Sequence, residues 1–465
     1  MRMFKYFFVV LSIVCFFTSS ENNVYSQLGN QNMILLTNKN EHPGSGGNLY
    51  SACWGYRAPN GREYAILGCY NGTAFYDITD TANIVEVGFI AGSTSNWREM
   101  KVFSNYCYVV SEATNSRIQI INLANLPTSV TLVGTSSMPN HSSTHSISQS
   151  GPYLYLHGCN TSFGQGVTVV DITNPTNPVK RGGYNVQYVH DSRILNDTIW
   201  AANIYNPPGT ISVISAMNKD ALTFITSWQN NPNPFPHNCA ITTDRRYILT
   251  TDETATPPGK LKVWNIESLS NVTLVTSWQP TGITTSTVHN VEIYGNYAVV
   301  AHYSAGIRVV NISNPTAPSE VAWYDTYPSN NNSGYSGCWG VFMFPSGKII
   351  GSDRQTGLYV LRSTVPLVGI EDPNNAPEDY VLKQNYPNPF NPSTTIEYSL
   401  PKSDFVTIKV YDPLGREIAV LVDEYKNGGS YSVNFDAARF ASGVYYYRLT
   451  TDNGFSETKK MILTK

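Results

Sequence analysis

One block of sequence recurs seven times along the chain, and that repetition leaves few folds open. Each copy opens on a three-residue slot: Cys53-Trp54-Gly55, Trp97-Arg98-Glu99, Thr144-His145-Ser146, Val189-His190-Asp191, Pro236-His237-Asn238, Val288-His289-Asn290 and Cys338-Trp339-Gly340. The middle residues stand 44, 47, 45, 47, 52 and 50 positions apart. Behind each slot come a strand, a turn, a second strand such as YAILGCY or YAVVAHYS, and a third such as VTVVDIT or GIRVVNIS. Val, Ile and Tyr suit a pleated, half-buried surface, and the intervening Gly and Asn supply tight connections. Six copies run on into a fourth strand. The seventh stops at Val360-Leu361-Arg362, and the strand it lacks is read at the other end of the chain, over residues 32–38. Four-stranded units of this length cannot bury their faces alone, and radial repetition is how such sheets are covered. The expected fold is therefore all-β: a seven-bladed β-propeller over residues 30–363, its last blade closed by the N-terminal strand.

The flanking segments place the chain. Residues 1–26 have a basic start (Arg2, Lys5), an apolar run from Phe7 to Phe17 too short to span a bilayer, and a polar end, the pattern of a cleaved signal peptide. Cys15 sits inside the apolar run with no small residue before it, which argues against lipidation. Only 14% of residues are charged and the net charge is −3, so there is no basic field for nucleic acid or anionic lipid. No transmembrane segment is read in the mature chain, which is expected to be a monomer. Six cysteines lie beyond the signal, at 53, 69, 107, 159, 239 and 338, in no zinc spacing. An exported protein can keep disulfides, and sequence cannot choose among the pairings. Cys53 and Cys338 stand out because each precedes Trp-Gly in what would be neighbouring repeats of a closed ring, where a disulfide could clip it shut.

The third strands with their tails, VTVVDITNPTNP (167–178) and GIRVVNISNPTAP (306–318), resemble the LVIVD repeat. With Trp97-Arg98-Glu99-Met100 and the recurring His slots, region 30–363 resembles bacterial surface proteins grouped as the choice-of-anchor B family. The repeats at 53 and 338 depart by carrying Trp in place of His. The resemblance implies an extracellular propeller and no particular reaction.

Residues 364–379 are rich in Pro, Asn and acid and read as a linker. Over 380–465, strands alternate with Pro-Leu-Gly, Asn-Gly-Gly and Ser-Gly turns, which suggests a small immunoglobulin-like β-sandwich. Its Tyr386-Pro387-Asn388-Pro389-Phe390-Asn391-Pro392 opening, Ala441-Ser442-Gly443-Val444-Tyr445 and Lys459-Lys460-Met461 ending resemble the type A sorting domain of the type IX secretion system. That resemblance implies export by Sec and then the type IX machinery. It also implies a secreted or outer-membrane surface location, with the tail commonly removed as the cargo is anchored or released.

In an up-and-down blade the start of the first strand and the end of the second share one face, beside the central channel. Four of the eight histidines (His145, His190, His237, His289) fill slots, and His157 and His302 close second strands. The same rim would receive Glu112, Asp191, Asp252, Glu253 and Asp353, with Arg98, Glu99, Asn203, Asn238, Asn290 and Arg354. Three readings stay open. The imidazoles cap inner strands by donating to carbonyls of neighbouring blades; or the rim binds a ligand, such as a surface polysaccharide or a protein; or imidazoles and carboxylates hold one divalent transition metal and work as a metal-dependent hydrolase. No Gly-x-Ser-x-Gly elbow and no Gly-rich loop opening a helix is present, so neither a serine hydrolase nor a nucleotide cofactor is supported. Trp228, Trp278 and Trp323 recur at matching fourth-strand positions and read as packing between blades. Asp77 and Asp171 read as turn residues.

Overall fold

A computed structural model describes residues 29–464 apart from 45–48, 196, 206–207, 333, 368–378, 402–403, 427–428 and 453. The expected signal peptide and most of the linker lie outside the described residues. Every element described is a β-strand, and those over 30–363 form seven antiparallel sheets. Blade 3 shows the plan: Ser146–Ser150, Tyr153–His157, Val167–Asp171 and Val179–Tyr184 follow one another outward, each hydrogen-bonded to the next.

The burial pattern explains why the second and third strands carry unbroken apolar runs. In blade 1, Glu63–Cys69 and Gly72–Asp77 are buried at every position, whereas the outer strand Val85–Ala91 is half-exposed throughout. A middle strand has a neighbouring blade on both faces, and successive side chains point to opposite faces. In blade 6, Ala298 and Val300 pack toward blade 5, while Val299 and Ala301 pack toward blade 7. The apolar clusters of the propeller are accordingly its blade interfaces, one for each adjacent pair. The cluster joining Phe344, Ile350 and Val360 of blade 7 to Tyr50, Leu67 and Tyr76 of blade 1 closes the circle. A buried ion pair sits at the same seam, Lys348 Nζ to Glu63 Oε2 at 2.9 Å.

The N-terminal segment binds two blades. Met33–Lys39 is the outer strand of blade 7, with Met33 opposite Ser363, Ile34 opposite Arg362 and Lys39 opposite Leu358. Just before it, Asn30 and Gln31 pair with Tyr324 and Trp323 at the edge of blade 6. Asn32, at φ 55°, turns the chain between the two blades and donates to Val321 O. The third-strand tails make local turns: Thr79 N donates to Asp77 Oδ1 and Thr173 N to Asp171 Oδ1.

The thiols of Cys53 and Cys338 are not joined, and the other four cysteines are free as well. The cause is register. Gly340 lies against Ala52 and Cys53, which sets Cys338 two residues nearer the mouth. Two residues of strand are roughly 6.6 Å; added to the gap between strands, this exceeds the roughly 7 Å between Cα atoms that a disulfide tolerates.

Residues 380–464 form two further sheets, Val381–Leu382 with Ser393–Leu400 and Gly429–Asp436, and Asp404–Tyr411 with Glu417–Lys426, Gly443–Thr451 and Ser456–Leu463. They share one core, in which Ile396, Tyr398 and Phe435 of the first meet Ile408, Tyr447, Leu449 and Met461 of the second.

Candidate functional site

The inner strands start at one mouth of the channel, and six of the seven blades place an aromatic ring there. Trp97, His145, His190, His237, His289 and Trp339 line it in blade order. Neighbouring rings touch in sequence: His145 and His190 centroids lie 4.2 Å apart, His190 and His237 4.1 Å, His237 and His289 4.1 Å, and His289 and Trp339 4.7 Å.

Hydrogen bonds fix how these rings sit. His190 Nδ1 donates to His237 O at 3.2 Å, and His289 Nδ1 donates to Trp339 O. A carbonyl can only accept, so in both rings the proton is on Nδ1 and Nε2 keeps its lone pair. His190 Nε2 therefore accepts from His145 Nε2 at 2.7 Å. At its other end His145 Nδ1 meets Glu112 Oε1 at 2.5 Å, so one proton is held in the Glu112–His145 link. Burial pushes the pKa of His190 and His237 well below 6.5 and that of His289 down to about 3, which keeps these rings neutral at pH 7.

Glu253, just past the second strand of blade 5, comes in from the side. Its carboxylate accepts from the Tyr303 hydroxyl. It also stands 3.7 Å from His237 Nε2 and 3.8 Å from His289 Nε2. Burial raises its pKa to about 7. One layer deeper, Asp191 accepts from Asn238 Nδ2 at 2.6 Å, and its carboxyl is pushed up to about 7 by burial and then by the nearby Glu99. The channel below is filled by Trp54, Glu99, Lys101, Ser148, Arg193, Asn290 and Glu292, with Arg193 paired to Glu292 at 2.8 Å and Lys101 to Glu99 at 2.9 Å. Mouth and channel each leave a void of about 30 Å³. That is room for a water or an ion, far short of the roughly 300–1,000 Å³ of small-molecule pockets.

Four expected members of the site are elsewhere. His157 is fully buried between blades 3 and 4, bonded to Ser146 Oγ at 3.0 Å and Ser192 Oγ at 2.7 Å. His302 is fully buried against Ser286 Oγ at 3.1 Å. Asp252 is paired with Lys262 at 2.7 Å inside blade 5, and Asp353 accepts from Thr326 Oγ1 and the Gln355 and Thr356 amides. Strand alternation is the reason. In blades 5, 6 and 7 the residues Asp252, His302 and Asp353 turn into the blades, and the next residues, Glu253, Tyr303 and Arg354, turn to the mouth. Tyr303 contacts His289 at 4.8 Å between ring centroids, and the Arg354 guanidinium lies over Trp339 at 4.7 Å.

Two further slots depart from the pattern, one in side-chain direction and one in register. Glu99 pairs with Val110 as Ser146 pairs with His157, so Arg98 is in register with His145, but its guanidinium donates to Cys69 O at 3.0 Å between blades and Trp97 supplies the ring at the mouth. Trp54 pairs with Ile66 as Phe342 pairs with Ile350, which puts Trp54 in the channel rather than at the mouth. Sequence reasoning missed Tyr303 and the loop aromatics Tyr188, Tyr205 and Tyr335. The Tyr188 ring lies 5.1 Å from Tyr205, and Tyr335 lies 5.5 Å from Tyr303.

Buried titratable groups set an acid limit on stability. His141, His157 and His302 are kept neutral by burial, with pKa values lowered to about 4, 3 and 3. Unfolding lets them take up protons below roughly pH 6.5, so their contribution is complete above that pH and drains away as pH falls toward 3. Asp252 and Asp325, raised to about 6 by burial, act oppositely: they add stability as pH falls from about 6 to about 4. The three imidazoles outweigh the two carboxyls, so the melting temperature is expected to decline gradually from about pH 6.5 to 4 and more steeply below about pH 4, where the carboxyls no longer offset them. A thermal-melt series level down to pH 3 would contradict this.

Residues 142–186 and 287–326, blades 3 and 6, match the LVIVD repeat, and residues 384–464 match the secretion system C-terminal sorting domain. The chain carries LVIVD repeats and ends in a sorting domain. The sorting domain directs the LVIVD propeller out of the cell through type IX secretion, to the outer-membrane surface or the medium. No curated protein matches the chain. Among solved structures, a putative 6-phosphogluconolactonase from Bacteroides uniformis is 10% identical, with 69% of this chain and 94% of that one covered and a TM-score of 0.50. The periplasmic gluconolactonase of Pseudomonas aeruginosa is 12% identical, with 83% and 99% covered and a TM-score of 0.49. At such identity the first shows a shared propeller fold and nothing of activity. No helix among the described residues is long and apolar enough to cross a membrane.

Proposed function

We propose that the protein is an exported recognition module whose mouth face binds a polysaccharide lying across it. In this reading residues 1–26 are a signal peptide, 30–363 the propeller, 364–379 a linker and 380–465 an immunoglobulin-like sorting domain. The observation that carries the reading is a contrast between depth and rim. The channel is filled to voids of about 30 Å³, whereas Trp97, Tyr205 and Tyr335 at the mouth are 36%, 68% and 46% exposed. Tyr and Trp present a rigid flat face with a polar tip, and here they border Glu112, His145 and Glu253, which offer acceptors and donors to hydroxyl groups. A hydrolase acting inside the channel would need space for its substrate that the packed side chains occupy.

Trp97 reports directly on the rim. Titration of the purified protein with a panel of soluble polysaccharides is expected to change its fluorescence saturably for at least one member. Tyr205→Ala and Tyr335→Ala are each expected to weaken that binding about tenfold, in line with exposed aromatic anchors. No saturable response across the panel, or full binding in both variants, would overturn the reading; saturable binding of a protein instead would move the ligand to that class.

A further inference from the structure

Beneath that rim, the imidazole nitrogens and the carboxylate are arranged in a way that hydrogen bonding alone does not explain. Glu253 is 3.7 Å from His237 Nε2 and 3.8 Å from His289 Nε2, too far for hydrogen bonds. His289 is 1% exposed, and its Nε2, the atom that faces Glu253, has no hydrogen-bond partner. Orphaned polar atoms this deep are uncommon and call for an occupant. One ligand atom from each of His190, His237 and Glu253 lies within 4.8 Å of the other two.

We propose that His190, His237 and Glu253 bind a divalent transition metal of the zinc type at the channel mouth, with His289 completing the shell. Imidazole and carboxylate donors bound at about 2.0–2.2 Å in a tetrahedral shell stand roughly 3.3–3.6 Å apart. From Glu253, His237 and His289 need a few tenths of an ångström of contraction to reach that, and His190, placed within 4.8 Å, needs up to roughly 1.2–1.5 Å. The void of about 30 Å³ at the mouth takes one ion. Nitrogen and oxygen donors without thiolate suit zinc, cobalt or nickel better than magnesium or calcium. The outer contacts are those a metal-binding histidine has: His190 and His289 each donate Nδ1–H to a backbone carbonyl, and the Tyr303 hydroxyl holds the Glu253 carboxylate. Binding at His190 Nε2 replaces the hydrogen bond from His145, so His145 either turns toward Glu112 alone or gives up a proton on metal uptake.

This inference stands apart from the polysaccharide reading, because metal uptake is measured without any other ligand. The purified full-length protein, stripped with chelator, is titrated with Co²⁺ by calorimetry and by visible absorption of the bound ion. One Co²⁺ per chain is expected, displaced by one Zn²⁺. Glu253→Gln and His237→Ala are each expected to weaken binding by more than the roughly 10–100-fold that outer-shell changes cost. His42→Ala, whose ring pairs with Glu86 at the outer side of blade 1, leaves it unchanged. Circular-dichroism melts identify any variant that has not folded, and Glu253→Gln, which keeps the Tyr303 hydrogen bond, carries the test if His237→Ala fails to fold. No stoichiometric uptake by the unaltered protein, or equal uptake by folded Glu253→Gln, overturns the site.

Discussion

A chain truncated after residue 383 is expected to accumulate in the periplasm with its propeller folded, and none of it to reach the cell surface. The part removed is the matched sorting domain, residues 384–464. Its core is its own: Phe390, Ile396, Tyr398, Phe435, Ile408, Tyr447, Leu449 and Met461 pack on one another within a cluster that contains no propeller residue. The seven interfaces of the ring likewise draw only on residues before the linker, apart from the partly buried Leu367 beside blade 7. Truncation therefore removes the address without removing any blade. Fractionation with immunoblotting and protease treatment of whole cells measure delivery, and thermal melts of the periplasmic form measure folding. Truncated protein on the surface, or loss of the cooperative melt, would each contradict the assignment.

The circular arrangement was legible because a repeat constrains its own alignment. A slot, an apolar second strand and a VVDIT-like third strand recur, and an apolar run on both faces of a strand requires a blade on either side. The site was legible only to one residue. In a strand, a slip of one position turns a side chain to the other face, and likeness of residue type aligns the slots without fixing which face each side chain takes. Trp54 looks like Trp339 because both precede Gly, yet its partner Ile66 makes it the counterpart of Phe342, three positions further on. The Trp-Gly that follows each of them makes Cys53 and Cys338 look equivalent in the same way, although Cys53 pairs with Leu67 and Cys338 with Asp353. His157, His302, Asp252 and Asp353 share the polar ends of second strands, yet period-two counting separates Asp252 from Glu253 and His302 from Tyr303. The signal for Tyr303 was therefore present in the alignment. For Tyr205 and Tyr335 there was none, since they lie in loops whose length and composition change from blade to blade.

The pair Asp252 and Glu253 puts this alternation to a test. Asp252 is 1% exposed; it faces Lys262 at 2.7 Å and accepts from Asn230 Nδ2 at 2.6 Å and from the Phe235 amide at 3.0 Å. Lys262 is 3% exposed, and its remaining partners are the carbonyls of Asn230, Pro232 and Asn233. Asp252→Ala leaves that ammonium buried with no counter-charge, a change that costs about 3–5 kcal/mol. At about 2–4 °C per kcal/mol for a large domain, the melting temperature falls on the order of 10 °C. Adding Lys262→Met removes the stranded charge and recovers most of the loss, because a buried ion pair replaced by apolar groups of similar volume is close to neutral. Glu253→Gln keeps its hydrogen bond from Tyr303 and costs less than about 1 kcal/mol, while it removes an anionic ligand from the mouth. The two neighbouring substitutions should thus divide cleanly: Asp252→Ala lowers the calorimetric melting temperature and leaves Co²⁺ uptake intact, and Glu253→Gln does the reverse. If Asp252→Ala abolished uptake at unchanged stability, the assignment of these two side chains to opposite faces of the blade would be wrong, and the histidine mouth would have to be rebuilt around the other carboxylate.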